Sequence, residues 1–490
     1  MLKSIERMLK AFEENNVVYC HWKSNEHLAE ALTGDTDLDV LFLPEQRSLL
    51  DRVLNESGLK RFRSMPLMQY NAIEDYIGFD EETAKIWHLH THYRMTLGEK
   101  HLKGYTVTPW GPYILENRMK DESGIYVSSP EVELVLLIAR NALKLRCRDI
   151  GKRVGKDDLI EYKWLLERVD KDAVKDHAEK MIGKKGAELL YKLCDGNLTK
   201  KSQLRPLYRY LRKELNCFTG FSKLGSRWMR TKRELFWLVG GVKRRMGWNS
   251  SIPYRRVSPS GGSVVVFLGC DGAGKSTSLD YVRKEIGKKI DVKTIYLGSG
   301  DGSSSLLRKP MKLVAKRVGG KGLGHSVEKE YKEKKSVSLK SRLYSFAKIL
   351  WAVTLASEKK SKLREMTKAR NSGMLVLVDR YPQTINPGYS DGPLLTRYLE
   401  NKRGLLKRIA QWEFNIYESA SRNMPDLMLK LMVPTEVAIA RKPEMTAEEI
   451  DNKKAAVRAM NAGLRCVEVD TSCPMNESLS KIMSEIWQII

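Results

Sequence analysis

At 490 residues the chain is longer than one hydrophobic core organises, so two or three domains are expected, and its 42% apolar composition supplies packed cores for them. A formal net charge of +26 points to phosphate-bearing ligands, nucleic acid or an anionic membrane surface, against the plainer alternative of ordinary solvated Lys/Arg faces. No stretch approaches the roughly 18 to 20 apolar residues of a membrane span, the seven cysteines make no C-x-x-C pair or zinc spacing, and the N-terminus lacks a signal peptide's apolar core, so a reduced cytoplasmic setting with at most peripheral membrane contact is expected.

The first residues predict an opening helix, followed by short strands at Val17–Cys20 and Asp39–Leu43, and a small α/β domain over residues 1–126 is the economical reading. Period-two alternation puts Asp37 and Asp39 on one side of a strand, where paired carboxylates can hold metal ions for nucleotidyl transfer. Further on, His88, His90 and His92 alternate in the same way and could complete a metal site or line a half-exposed strand. The segment around Asp37 and Asp39 resembles the nucleotidyltransferase superfamily over about residues 1–125. That family's glycine-serine turn is here Lys23-Ser24-Asn25, and its third carboxylate is replaced within the histidine run. The resemblance therefore implies either a working transferase or a degenerate binding or scaffolding domain.

From Ser129-Pro130-Glu131 a helical period begins, and a basic helical region is expected over 127–250. Within it Trp228–Trp248 mixes Arg and Lys with Trp, Phe and Leu. It reads as an interfacial amphipathic helix, or as a helix packed on a neighbour with its cations outward, and Gly240-Gly241 favours the second. A Ser/Pro/Gly-rich linker is expected at 251–262.

The C-terminal domain, 263–490, reads as a doubly wound parallel sheet. The β-branched run Ser263–Leu268 leads into Gly269-Cys270-Asp271-Gly272-Ala273-Gly274-Lys275-Ser276, which matches G-x-x-x-x-G-K-[ST] between a predicted strand and a predicted helix. Such a loop turns several N–H groups and a helix N-terminus onto phosphates, with Lys275 reaching the β- and γ-phosphates and Ser276 placing its hydroxyl on Mg²⁺. A second buried strand, Met374–Val378, ends in Asp379 and Arg380, at the strand end where ligands of such sheets bind. There Asp379 can hold Mg²⁺ and Arg380 can neutralise phosphate. A third strand at 425–434 leads to a helix ending in Arg441 and Lys442, suited to a lid, with Arg441 as the catalytic cation and Lys442 and Arg458 as competitors. The polar, glycine-punctuated tract from Ser299 to Lys340 reads as an insertion or lid.

The order GCDGAGKST, VDRY, PDLMLKLMVPTEVAIARK, VEVDTS resembles the thymidylate kinase family over about residues 263–490. The resemblance implies ATP and Mg²⁺ as cofactors and a cradle of Gly269, Asp271, Gly272, Ala273, Gly274, Lys275, Ser276 and Thr277. It puts Asp271 near an acceptor hydroxyl, Arg380 near the acceptor phosphate, Arg441 in the lid and Asp470-Thr471-Ser472 near the donor base. The family's Arg-Glu-Pro-Gly-Gly acceptor segment is absent, and Ile295–Gly302 stands in its place. This variant pattern is similar to kinase-like proteins of bacterial surface-polysaccharide biosynthesis, for which a sugar or lipid-linked glycan is the implied acceptor.

The partners expected are thus a nucleoside triphosphate and a small phosphate or hydroxyl acceptor, with an anionic membrane and a second copy of the chain as further candidates. Three functions stay open: a phosphotransferase, a non-catalytic ATP-gated scaffold, and a nucleic-acid end-processing enzyme. The last lacks an aromatic and basic single-strand platform.

Overall fold

The structure is a computed structural model of the chain, and it describes residues 1–149, 151–246, 250–298, 339–387, 391–400, 404–461 and 463–490. The expected insertion or lid therefore lies almost wholly outside the described residues, as does the end of the Trp228–Trp248 segment. The chain divides into two compact units. The first is Met1–Trp248 with Tyr254–Pro259, and the second is Ser260–Ile490 with Asn249–Pro253.

In the first unit α1 (Lys3–Glu14), β1 (Tyr19–His21), α2 (Leu28–Leu32), β2 (Asp37–Phe42), α3 (Arg47–Glu56), β3 (Lys60–Phe62), β4 (Ile73–Asp80) and β5 (Lys85–His92) come first. Then follow β6 (Met95–Leu97), β7 (Tyr105–Val107), α4 (Trp110–Glu116), β8 (Arg118–Lys120) and β9 (Tyr126–Ser128). Helices α5 (Pro130–Leu143), α6 (Lys156–Leu166), α7 (Lys171–Tyr191), α8 (Arg205–Glu214) and α9 (Lys223–Arg245) complete it.

A mixed sheet runs β3-β4-β5-β2-β1-β9-β8. The expected strand at Val17–Cys20 is β1, displaced by a residue or two, because Val17 closes the turn out of α1 by donating to Phe12 O at 2.9 Å. Residues 1–126 and 127–250 differ from expectation in sharing one core. Cys20 and Leu41 of the sheet, with Trp22 directly after β1, pack in one cluster with Leu136, Leu137, Leu165, Ile182 and Leu207 of the helices. Helix α5 is apolar on nearly every side, with Val132 through Leu143 all buried. A helix of that kind has to be covered by neighbours and cannot mark a separate domain. Its start is capped by Ser129, whose hydroxyl accepts from Val132 N–H at 3.4 Å. The expected linker is also partly built in, since Arg63 and Val257 exchange backbone hydrogen bonds of 2.8 and 3.0 Å.

The second unit runs β10 (Val264–Gly269), α10 (Lys275–Gly287), β11 (Val292–Tyr296), α11 (Leu339–Asn371), β12 (Leu375–Asp379) and α12 (Leu405–Arg422). It ends with β13 (Leu427–Met432), α13 (Thr435–Arg441), α14 (Ala447–Ala459), β14 (Arg465–Asp470) and α15 (Met475–Ile489). The sheet order is β11-β12-β10-β13-β14 with every pairing parallel. Strands buried on both faces need uninterrupted apolar runs, and VVVF and LVLV, with Val265, Val266, Phe267, Val376 and Leu377 wholly buried, provide them. The order steps from β10 to β12 on one side and β13 on the other, so the carboxyl ends of β10 and β12 open at a topological switch point.

Candidate functional site

The loop between β10 and α10 occupies that switch point. Gly272 (φ +85°) and Gly274 (φ +79°) take the left-handed conformation that an L side chain resists. A Cβ on Gly272 would also stand 3.0 Å from the Ala438 carbonyl oxygen. Helix α10 begins with Lys275 directly after the loop, so its free N–H groups face the loop's concavity. The Lys275 ammonium is folded onto the loop, donating to Gly269 O at 2.9 Å and Cys270 O at 2.8 Å. Burial, and then the neighbouring Arg380, lower its pKa. Ser276 and Thr277 are exposed.

The loop is held from behind. Arg441, at the end of α13, donates to Gly272 O at 3.0 Å and Thr471 O at 3.2 Å. The Thr471 hydroxyl donates to Ala273 O at 3.1 Å. Arg441 and the Asp470–Ser472 turn thus meet the glycine loop, whereas nothing in these contacts involves Lys442 or Arg458.

Strand register places Asp379 beside Phe267 on one side and Tyr296 on the other, at the same edge as the loop. Its Oδ1 is buried and has no hydrogen-bond partner among the described residues. Burial holds the carboxyl above its ordinary pKa against the opposing pull of Lys275 and Arg380. Arg380 adopts φ +65° and donates its N–H to Phe267 O at 3.1 Å. Its guanidinium lies 3.3 Å from Asp271 Oδ1 and 3.6 Å from Asp391 Oδ2. Asp271 is paired as well with Lys453 at 2.5 Å. The orphaned Asp379 oxygen and the exposed Ser276 hydroxyl are hard oxygen donors of the kind Mg²⁺ takes, so these residues fit the ion.

Sequence reasoning missed four members of this neighbourhood: Lys359, Asp391, Glu413 and Lys453. Lys359 on α11 is 1% exposed and Glu413 on α12 is 0% exposed. The Lys359 ammonium lies 3.6 Å from an Asp391 carboxylate oxygen and 4.8 Å from the centre of the Tyr417 ring. Glu413 accepts the backbone N–H groups of Leu394 and Leu395 at 3.0 and 2.8 Å. A signal existed, since Glu413 stands on the helical face of Ala410, Ile416, Tyr417 and Ala420, all buried. A charge in the middle of an apolar stripe calls for a buried partner.

In the first unit the parallel register of β2 and β5 sets Asp37 opposite His88 and Asp39 opposite His90. Asp39 receives His90 Nδ1 at 2.9 Å, His92 Nε2 at 3.3 Å and the Lys23 ammonium at 3.0 Å. Burial opposes its charge, but the lysine and the two imidazoles outweigh burial and hold its pKa well below the ordinary value. Asp39, His90 and His92 bring their ligand atoms within 4.8 Å of one another, so they could hold a divalent ion, with Lys23 as the competing cation. Asp37 is not part of that cluster. It faces His88 Nδ1 at 3.1 Å, while His88 Nε2 lies 2.9 Å from Asp75 Oδ1 on β4.

Asp75 also takes Arg256 Nε at 2.8 Å. Through His88 it is linked to the histidine run at the sheet centre. Asp75 and His90 border a cavity of about 970 Å³ whose walls include Arg47, Arg61, Arg63, Arg94 and Arg256. Arg47 and Arg61 pair with Glu74 and Arg256 with Asp75, so five arginines against two carboxylates in the lining leave a cationic surplus.

No family model matches the chain. The chain is 27% identical over 232 residues to the uncharacterized ATP-binding protein YghR of Escherichia coli K12, covering 46% of this chain and 86% of that protein. It is 25% identical over 228 residues to the uncharacterized ATP-binding protein YghS of the same organism, covering 46% and 92%. Among solved structures, thymidylate kinase from Candida albicans aligns over 46% of this chain and 92% of its own, at 15% identity and a TM-score of 0.28.

Proposed function

We propose that the second unit binds Mg·ATP and transfers its γ-phosphoryl group to a nucleotide or related acceptor. The observation that carries this reading is the meeting of the Gly269–Ser276 loop, with Lys275 at the head of α10, and the buried Asp379 Oδ1, unpartnered among the described residues, at one sheet edge. The two E. coli relatives, both described as ATP-binding, support the choice of nucleotide.

In this mechanism the loop amides and the α10 N-terminus bind the polyphosphate, and Lys275 exchanges its carbonyl partners for β- and γ-phosphate oxygens. Ser276 and Asp379 would hold Mg²⁺, which when bound supplies neutralisation of charge on the phosphate oxygens. Arg380 is aimed by its left-handed backbone across Asp271 and can shift onto an acceptor phosphate or the transferring group. Arg441 keeps the loop in shape through Gly272 O. The acid pair Asp271 and Asp391 is placed to orient an acceptor hydroxyl beside Arg380.

Incubating the purified chain with ATP and a panel of dTMP, other nucleotides, sugars and a lipid-linked glycan tests the reading by which acceptor gains phosphate. A phosphorylated sugar or glycan would move the assignment toward surface-polysaccharide chemistry, the reading that the missing Arg-Glu-Pro-Gly-Gly segment favours. ATP binding without any product would leave an ATP-gated scaffold.

We read the first unit as a binding domain, because Lys23 neutralises Asp39 where a transferase would need free carboxylates. The arginine-lined cavity favours a phosphorylated or otherwise anionic ligand. Phosphomonoester binding that persists in Lys275→Ala and disappears in Arg63→Ala/Arg94→Ala checks this. Retained binding in the arginine double variant contradicts it.

A further inference from the structure

Helix α9 buries an arginine and exposes a row of apolar side chains. Arg233, 7% exposed, points into the unit, where its guanidinium donates to Leu102 O at 3.0 Å and Gln69 O at 2.9 Å. Gly240 lies on the same inner face, and a Cβ there would stand 2.6 Å from the Tyr254 ring. Gly240, which weakens an isolated helix, is therefore demanded by packing.

The outer face is the apolar one. At about 100° per residue, Leu224, Trp228, Leu235, Leu238 and Val242 fall in one sector less than about 100° wide. They are 78%, 71%, 61%, 56% and 44% exposed. The expected packed helix with its cations outward holds for Arg227, Lys232 and Arg245, but Arg233 is buried and a row of large apolar groups faces out beside those cations. Arg227 and Arg245 border the stripe on one side and Lys232 on the other, all three exposed. Along its 23 residues the helix carries eight Lys or Arg and a single acid, Glu234. That acid is already paired with Arg146 and Arg148.

We infer that α9 lies in the headgroup region of an anionic membrane, with Leu224, Trp228, Leu235, Leu238 and Val242 immersed and the flanking cations on lipid phosphates. The charge pattern selects this occupant. A second copy of the helix would bring its own surplus of cations against these, whereas an anionic bilayer meets both the stripe and its borders. Trp228 suits the interface, where an amphipathic ring sits at headgroup level. The contact is one of surface binding, since among the described residues no helix is long and apolar enough to cross a membrane.

The full chain sedimented with vesicles tests this. It should bind phosphatidylcholine mixed with phosphatidylglycerol, bind phosphatidylcholine alone weakly, and release as salt rises. Trp228→Glu/Leu235→Glu should weaken partition by at least about tenfold, and Arg227→Gln/Arg245→Gln should weaken it on anionic vesicles only. Both pairs are exposed, so unchanged thermal melting confirms that the fold is kept. The inference is overturned by a wild-type chain that stays in solution with anionic vesicles or by a glutamate variant that binds equally well. It is overturned too by a concentration-dependent dimer that the glutamate variant abolishes, which would make a second copy the occupant.

Discussion

Lys275 donates its ammonium to the carbonyl oxygen of Gly269 at 2.9 Å, so the cation of the glycine loop and the loop's own backbone satisfy one another. The mechanism proposed above requires ligand binding to exchange those bonds for phosphate oxygens, with the loop geometry surviving the exchange.

Gly272→Ala tests that geometry. At φ +85° a Cβ costs about 1–2 kcal/mol by conformation alone, and here it also meets the Ala438 carbonyl at 3.0 Å. The expected outcome is a lower urea midpoint for the second unit together with weakened ATP binding by calorimetry. Wild-type affinity in this variant would show that the loop is not the phosphate cradle.

Lys359→Ala removes a buried cation that lies 3.6 Å from Asp391 and is favoured by the charge of Glu413. Breaking a buried charge cluster from one side costs about 3–5 kcal/mol, so the variant should lose a large part of the second unit's stability in denaturant titration. A change below about 1 kcal/mol would mean that the cluster is wetter than its burial indicates.

Lys23→Ala opens Asp39, His90 and His92. The ammonium lies 3.0 Å from Asp39 and opposes a second cation, so its removal should raise Co²⁺ or Zn²⁺ affinity at least about tenfold. Visible Co²⁺ absorption bands provide the readout. If the variant takes up no more metal than the wild type, these three residues are a structural hydrogen-bonded cluster.

Glu26 and Glu133 set a pH dependence for the first unit. Burial, then the charge of Glu161, raises Glu26 to about 7. Burial foremost raises Glu133 to about 8. The folded state holds these protons while the unfolded chain releases them near 4.5, so the stabilisation is complete below that value and is lost as pH rises through about 7 to 8. Thermal unfolding midpoints should fall across this window, and Glu26→Gln should flatten the lower part of the fall. A midpoint that rises with pH there contradicts the assignment.

The glycine loop was legible because glycines, lysine and hydroxyl fall at fixed spacing between two runs of unmistakable period, and β12 because an apolar β-branched strand ends abruptly in Asp379 and Arg380. Lys359, Asp391 and Glu413 were not. They come from α11, a loop and α12, and only the fold brings them together. The histidine run showed which side chains share a face, but not that Asp75 reaches it through His88, because strand order β4-β5-β2 cannot be read from local sequence. The outward stripe of α9 was visible as a pattern, whereas its direction depended on Tyr254 filling the groove beside Gly240.

The most direct measurement follows the γ-phosphate of labelled ATP in the wild-type chain and in Lys275→Ala, with the acceptor panel present. The account predicts a labelled acceptor in the wild type and a rate lower by about 10²–10³-fold in the variant. Transfer at an undiminished rate in Lys275→Ala, or ATP bound by the wild type with no acceptor ever labelled, would contradict it.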